Sequence, residues 1–362
     1  MRERSGPRRM PAALNLSSIF GQPRATSMLR SALERRRIHH AWLFAGPEGV
    51  GKEAAARAFA ASLLCRAGGG EPVVEACGTC PSCQKLDRGV HPDLVEILPE
   101  AEAVARKRIA REDLPKAPSR ELKIDQIRKL QASLSLAPLE GPRRVVVMIG
   151  ADTLNAPAQN AFLKTLEEPP TGTHIVLLAD TADALLPTTR SRCVRVPFAP
   201  LPLELVAERV AEQTGDGLER ARLRAALAGG SLGAALRIDG PALESRGRIL
   251  EAIEALDPAD LRPLLRLAEE LGGKGREESE LALDVVALFY RDAALGAEGV
   301  SDDALANQDQ AALVRAAAAR GAEDALRRHR LALRAKAAIG RHAMGRLAFE
   351  RMLLGFVMPE EA

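Results

Sequence analysis

The chain has 362 residues, of which 46% are hydrophobic and 27% are charged, and its 51 basic residues nearly balance its 48 acidic ones. This composition is typical of a soluble globular protein with two or three domains. The net charge of +3 gives no general signature of nucleic-acid binding. The sequence has no apolar run long enough to span a membrane, and its basic N-terminus lacks the apolar core of a secretory signal. We therefore expect a cytoplasmic protein.

Short apolar runs in the first half of the chain predict buried β-strands. They read "AWLFAG", "RRVVVMIGA", "THIVLLAD" and "CVRVPF", and helical patterns stand between them. Strands that alternate with helices predict an α/β domain, with a parallel sheet covered by helices on both faces. The charged segment 100–120 carries two prolines and is predicted to be a flexible surface insert.

Helical patterns replace the strands in the second half of the chain. Residues 201–238 are predicted to form a short helical unit, and the pattern from residue 241 onward is nearly all helical. The predicted organisation has four parts, and these are a basic tail (1–16), an α/β domain (17–199), a small helical lid (200–240) and an all-helical domain (241–362).

A glycine-rich turn between the first strand and the next helix is typical of a phosphate-binding P-loop. Gly46, Gly49, Gly51 and Lys52 are the candidate nucleotide-binding residues, because a P-loop cradles phosphate with backbone N–H groups and reaches it with the lysine. The next position should hold a Ser or Thr whose hydroxyl binds Mg²⁺. Here that position is Glu53, which has no hydroxyl.

A second part of the hydrolytic machinery is missing from the second predicted strand. This strand should end in an acidic pair that serves Mg²⁺ and water activation. It ends instead in Ile149 and Gly150, and the first acid is Asp152, which lies in the following turn. Two independent losses predict a loop that keeps its shape without hydrolysing ATP. An active ATPase in which Glu53 or Asp152 replaces the missing ligands is the alternative.

Four cysteines have the spacing of a metal site. Cys65, Cys77, Cys80 and Cys83 follow the pattern C-x11-C-x2-C-x2-C, and four thiolates close the tetrahedral shell of a structural Zn²⁺. Disulfides and an iron–sulfur cluster are the alternatives. Cys193 stands far away in sequence and is predicted to be an ordinary buried thiol.

The motifs in combination resemble one family. "HHAWLFAGPEGVGK", the four-cysteine insert, "NAFLKTLEEPP" at 160–170 and "TTRSRCVRV" at 188–196 closely resemble the bacterial clamp-loader subunits of the AAA+ class. The resemblance covers about residues 17–240 with strong motifs and continues more weakly to the end. Within that family, the departures at Glu53, Ile149 and Gly150 resemble the delta-prime subunits, which are its non-hydrolysing members.

The resemblance implies a role and a set of partners. Arg192 of "SRC" would be an arginine finger that reaches the γ-phosphate in the adjacent subunit's site. The chain would join gamma/tau ATPase subunits and a clamp-opening delta subunit in a heteropentamer of the DNA polymerase III holoenzyme, which loads the sliding clamp onto primer-template DNA. Residues 241–362 would form a collar in that ring. Whether the loop still binds ATP or ADP stays open.

Two interpretations remain beside this one. Lys164, Glu167 and Glu168 of "KTLEEPP" look catalytic, but a helix end that shapes a subunit contact or a DNA-facing surface is the interpretation we prefer. The four-cysteine insert also permits a zinc-dependent DNA-binding module, although few aromatic residues are available to stack on bases.

Overall fold

The computed structural model describes residues 15–114, 116–341 and 343–358. It divides into two compact units with the boundary between Leu201 and Pro202. The predicted basic tail, 1–16, lies outside the described residues except for its last two positions.

The first unit contains a parallel sheet and its covering helices. Its strands are β1 (Ala41–Ala45), β2 (Leu94–Ile97), β3 (Arg144–Met148), β4 (Thr173–Ala179) and β5 (Val194–Pro197). Its helices are α1 (Pro23–Glu34), α2 (Lys52–Leu64), α3 (Pro81–Asp87), α4 (Glu100–Ala105), α5 (Ile124–Leu134), α6 (Ala156–Glu167) and α7 (Pro187–Arg190).

The strands are hydrogen-bonded in the order β2-β3-β4-β1-β5, and every pair is parallel. Parallel strands need helical crossovers, which cover both faces of the sheet, so the central strands are rich in apolar residues. The central strands β1 and β3 are completely buried. The predicted fold class is confirmed, and so are the predicted strands that became β1, β3, β4 and β5.

Alternation along β1 divides the core of this unit between the two faces of the sheet. Trp42 and Phe44 pack on one face, where Trp42 meets Phe59 of α2 with ring centroids 5.2 Å apart. Leu43 packs on the opposite face in the cluster that contains Phe162 of α6. Successive strand residues point to opposite faces, so β1 anchors both helical layers and fixes the position of the loop that follows it.

The prediction of a flexible insert at 100–120 is wrong for its first part. Glu100–Ala105 forms α4, and its residue Ala103 is buried. Residues 111–113 form a 3₁₀ turn, and the Ser119 backbone N–H donates to the Glu100 carboxylate over 2.9 Å. Part of the high charge of segment 100–120 is used in ion pairs with the rest of the unit, in which Arg106 pairs with Glu53 and Arg108 with Glu96.

The second unit contains helices and no β-strand among its described residues. Its helices are α8 (Leu203–Thr214), α9 (Leu218–Leu227), α10 (Leu232–Arg237), α11 (Gly240–Glu254), α12 (Arg262–Gly272), α13 (Arg276–Ala297), α14 (Ala311–Ala318), α15 (Ala322–Gly340) and α16 (Gly345–Val357). One apolar cluster extends from Leu223 on α9 to Phe356 on α16. The predicted division into a lid and a collar stays a prediction. Among the described helices, none is both long and apolar enough to cross a bilayer.

Candidate functional site

The P-loop sequence lies where the sequence predicts it, between β1 and α2. Gly46 is required by close packing, because a Cβ built there would lie 2.0 Å from the backbone oxygen of Phe198. Gly51 precedes α2 with φ of +108°, a conformation that residues with side chains rarely adopt. The loop therefore keeps its glycines for backbone reasons that hold whether or not phosphate binds.

Lys52 is held inside the loop by three acceptors. Its Nζ donates to the backbone oxygens of Gly46 and Pro47, over 2.5 and 2.6 Å, and to Asp180 Oδ1 over 2.7 Å. An ammonium group has three donors, so these contacts use its full capacity. Only 8% of the Lys52 side chain is exposed, whereas half of the Asp180 side chain is.

Glu53 is bound by arginines from two directions. Nη1 of Arg106 donates to both carboxylate oxygens of Glu53, over 2.8 and 2.9 Å. Arg57, one turn along α2, approaches the same carboxylate at 3.2 Å. The residue that replaces the Mg²⁺-binding hydroxyl is therefore already paired with guanidinium groups.

The turn after β3 adds a second acid near Lys52. Gly150 adopts φ of +68° and starts the 3₁₀ turn that carries Asp152. Burial raises the pKa of Asp152, and the negative charge of Asp180 raises it further, while Lys52 acts in the opposite direction. The carboxyl ends of β3 and β4 thus bring two acids toward the lysine without the acidic pair at Ile149 and Gly150 that hydrolysis requires.

Sequence reasoning gave no role to two residues of this site. Asp180 directly follows β4, the neighbour of β1 in the sheet, so its position was predictable once the strand order was known. Arg106 lies 53 positions after Glu53 in a segment that was predicted as surface insert, and its spacing gives no signal.

Arg192 and the "KTLEEPP" motif meet on the surface of the first unit. Arg192 Nη1 donates to the backbone oxygen of Thr188 over 2.7 Å, and Nη2 pairs with the Glu167 carboxylate at the end of α6. A third of the Arg192 side chain remains exposed. Arg190, two positions earlier, pairs separately with Asp183. Arg192 is thus oriented by two contacts and still has guanidinium donors left for a further partner.

The four predicted metal ligands come together around one point. Cys65 ends α2, Cys80 caps α3, and the sulfur atoms of Cys65, Cys77, Cys80 and Cys83 all lie within 4.8 Å of one another. A Zn–S distance of about 2.3 Å implies sulfurs about 3.8 Å apart in a tetrahedron. The Cys77 and Cys83 sulfurs are 3.9 Å apart, so the cluster fits a closed thiolate shell. The four residues can hold a metal such as zinc.

Backbone N–H groups support negative charge on these sulfurs. The N–H groups of Thr79 and Cys80 lower the pKa of Cys77 to about 6, and the Cys80 N–H lies 3.3 Å from that sulfur. Burial raises the pKa of Cys83, which is the most enclosed of the four. Cys193 lies apart from the cluster and donates to the Thr189 backbone oxygen over 3.5 Å, while burial raises its pKa to about 12.

Comparison with known proteins places this arrangement in a family. The family described as "DNA polymerase III, delta subunit" matches residues 21–202. The DNA polymerase III subunit delta' of Bacillus subtilis is 31% identical over 291 residues, which cover 80% of this chain and 81% of that protein.

Two further relatives are also subunits of DNA polymerase III. The subunit delta' of Pseudomonas aeruginosa is 36% identical over 234 residues, 63% of this chain and 65% of the relative. The DNA polymerase III subunit tau of Escherichia coli is 29% identical over 300 residues, 76% of this chain and 43% of the relative. With its P-loop turn, four-cysteine cluster and paired "KTLEEPP" and "SRC" motifs, the chain belongs to the delta-prime family of DNA polymerase III clamp-loader subunits.

Proposed function

We propose that this chain is a non-hydrolysing subunit of the replicative clamp loader in the cytoplasm. It assembles with gamma/tau ATPase subunits and a clamp-opening delta subunit, and the assembly loads the sliding clamp onto primer-template DNA. The observation that carries the proposal is the state of Glu53, since the residue in the Mg²⁺-ligand position is a carboxylate already committed to Arg106 and Arg57. Ile149 and Gly150 support it, because they leave no acidic pair after β3.

Its contribution to catalysis is made in trans. Arginine suits such a role because it is always charged and its planar fork can stabilise phosphoryl charge from another subunit. Arg192 is partly exposed and is oriented by Thr188 and Glu167. Arg190 is similarly exposed and pairs with Asp183, so the "SRC" motif is what favours Arg192. Zinc at the four cysteines would be structural, because four thiolates leave no open position for a catalytic water.

A reconstitution of clamp loading tests this role. We expect a ring assembled with this chain to load clamps onto primed DNA, and a mixture without the chain to fail. The variant Lys52→Ala should load clamps as the wild type does, since the proposal gives the P-loop lysine no hydrolytic task. Loading that requires Lys52 in a correctly assembled ring would favour the second candidate, an active ATPase subunit with unusual metal ligands.

A further inference from the structure

We propose that Glu167 is a positioning residue, which holds the guanidinium of Arg192 in the direction from which it meets phosphate in the adjoining subunit. The inference rests on the proposed role of Arg192 in trans and adds a second residue to that role. Glu167 lies in the "KTLEEPP" segment, where the sequence alone favoured a helix end without chemistry of its own. The structure places its carboxylate against the Arg192 side chain.

The guanidinium of Arg192 is held at two of its nitrogens. Nη1 donates to the Thr188 backbone oxygen over 2.7 Å, and Nη2 donates to the Glu167 carboxylate. A guanidinium group is planar and rigid, so contacts at both terminal nitrogens fix the direction of the whole group. It has five N–H donors, and because these contacts use two, three remain. A phosphate can therefore bind Arg192 while Glu167 stays in place.

Both acceptors belong to segments with buried anchors. Thr188 lies in α7 next to Thr189, of which only 1% is exposed. Glu167 is the last residue of α6, and the residue before it, Leu166, is fully buried. The Leu166 backbone oxygen accepts a hydrogen bond from His40 Nε2 over 2.8 Å, which ties the end of α6 to the residue just before β1. The guanidinium is thus attached to two helices whose own positions are fixed by the core.

The strength of the ion pair decides between positioning the arginine and masking it. The Glu167 side chain is 46% exposed and that of Arg192 is 33% exposed. An ion pair this exposed shifts an equilibrium by about fivefold at most, which is too little to withhold the arginine from a triphosphate. A preference of that size still selects among the rotamers of a long side chain. Correct placement matters for the rate, because a displacement of about 1 Å can slow a reaction about 10²-fold.

The pairing is selective within each of the two motifs. Arg192 contacts Glu167 rather than Glu168, which is exposed at the next position. Arg190, two residues before Arg192, pairs with Asp183 instead. Glu168 therefore offers a control position with the same chemistry and no part in this contact.

Single-turnover ATP hydrolysis tests the proposal in a reconstituted ring in which only the ATPase subunit beside this chain keeps its P-loop lysine. Glu167→Ala should lower the rate constant at saturating ATP about tenfold and change the half-saturating ATP concentration less than about twofold, since it disturbs placement in the transition state. Glu167→Gln should stay within about threefold of the wild type, because its amide oxygen can accept the same hydrogen bond. Glu168→Ala should hydrolyse ATP at the wild-type rate.

A double-mutant cycle separates positioning from a general effect on folding or assembly. Glu167→Ala added to Arg192→Ala should cause no further loss, because Glu167 acts through that arginine. A further loss of the same size would overturn the proposal, and so would a wild-type rate in an assembled Glu167→Ala ring. A rate above that of the wild type in Glu167→Gln would also overturn it and would identify Glu167 as a brake on Arg192.

A second variant keeps the test decisive if the alanine variant does not assemble. Glu167→Asp retains the charge but is one methylene shorter, so it should slow hydrolysis by at least about threefold. A wild-type rate in that variant, with folding verified by a thermal melt, contradicts positioning by Glu167.

Failure of this proposal is distinguishable from failure of the proposed function. A wild-type rate in the Arg192→Ala ring would remove the trans role itself. A slow Arg192→Ala ring combined with a wild-type rate in the Glu167→Ala ring would leave the trans role intact and remove only the positioning by Glu167.

Discussion

Replacing Arg192 with alanine should lower ATP hydrolysis in the adjoining subunit's site by about 10³-fold or more, the range observed when an arginine finger is absent. The loss follows from removing a fixed positive charge from the transition state of phosphoryl transfer. The measurement is single-turnover hydrolysis by a reconstituted ring in which only the ATPase subunit beside this chain keeps its P-loop lysine. Restricting activity to one site prevents the other subunits from masking the effect.

Arg190 provides the matched control for this prediction. It lies two residues away, is similarly exposed and pairs with Asp183 at the surface. Arg190→Ala should leave hydrolysis within about twofold of the wild type, since exposed ion pairs contribute little. Equal hydrolysis by the Arg192→Ala ring and the wild-type ring, with assembly verified, would remove the trans arginine from the mechanism.

Loss of the metal should unfold the four-cysteine region and destabilise the first unit. We expect one zinc per chain by atomic spectroscopy, no zinc in Cys83→Ser, and a melting temperature lower by about 10 °C or more. Cys83 is the most informative position because it is fully buried, lies within α3 and has its sulfur 3.9 Å from that of Cys77. Removing this ligand leaves three thiols without the ion that joins α3 to the end of α2.

Cys193→Ser is the control, because its sulfur lies outside the cluster, and it should keep one zinc per chain. Chelation by a strong zinc ligand should reproduce the lowered melting temperature in the wild type. An unchanged melting curve together with a selective loss of DNA affinity would contradict a structural role. That outcome would support the zinc-dependent DNA-binding module instead.

Burial on both faces of the sheet explains which strands could be predicted. β3 carries three consecutive valines, all fully buried, and such a run identifies a central parallel strand from sequence alone. β2 was missed because it is a four-residue edge strand whose residues are only half-buried. It also contains Glu96, which pairs with Arg57 and Arg108, so no apolar run marks it.

Site residues were predictable from the sequence where they lie close together along the chain, and their distant partners were not. The residues of the P-loop turn lie close together in sequence, and so do those of the cysteine cluster. Their spacing alone was enough to identify them. Arg106, a partner of Glu53, lies 53 positions from it, and Glu167, a partner of Arg192, lies 25 positions from it. The sequence pattern does not indicate which charged side chains far apart in the chain form ion pairs. The pairing of Arg106 with Glu53 and of Glu167 with Arg192 is therefore known only from the structure.

Steady-state ATP hydrolysis by the purified chain alone, with Mg²⁺ and primed DNA present, tests the central claim most directly. We expect no turnover above background, because the Mg²⁺-binding hydroxyl is replaced by Glu53 and the acidic pair after β3 by Ile149 and Gly150. Turnover that disappears in Lys52→Ala would contradict the claim. The chain would then be a motor subunit that uses unusual metal ligands.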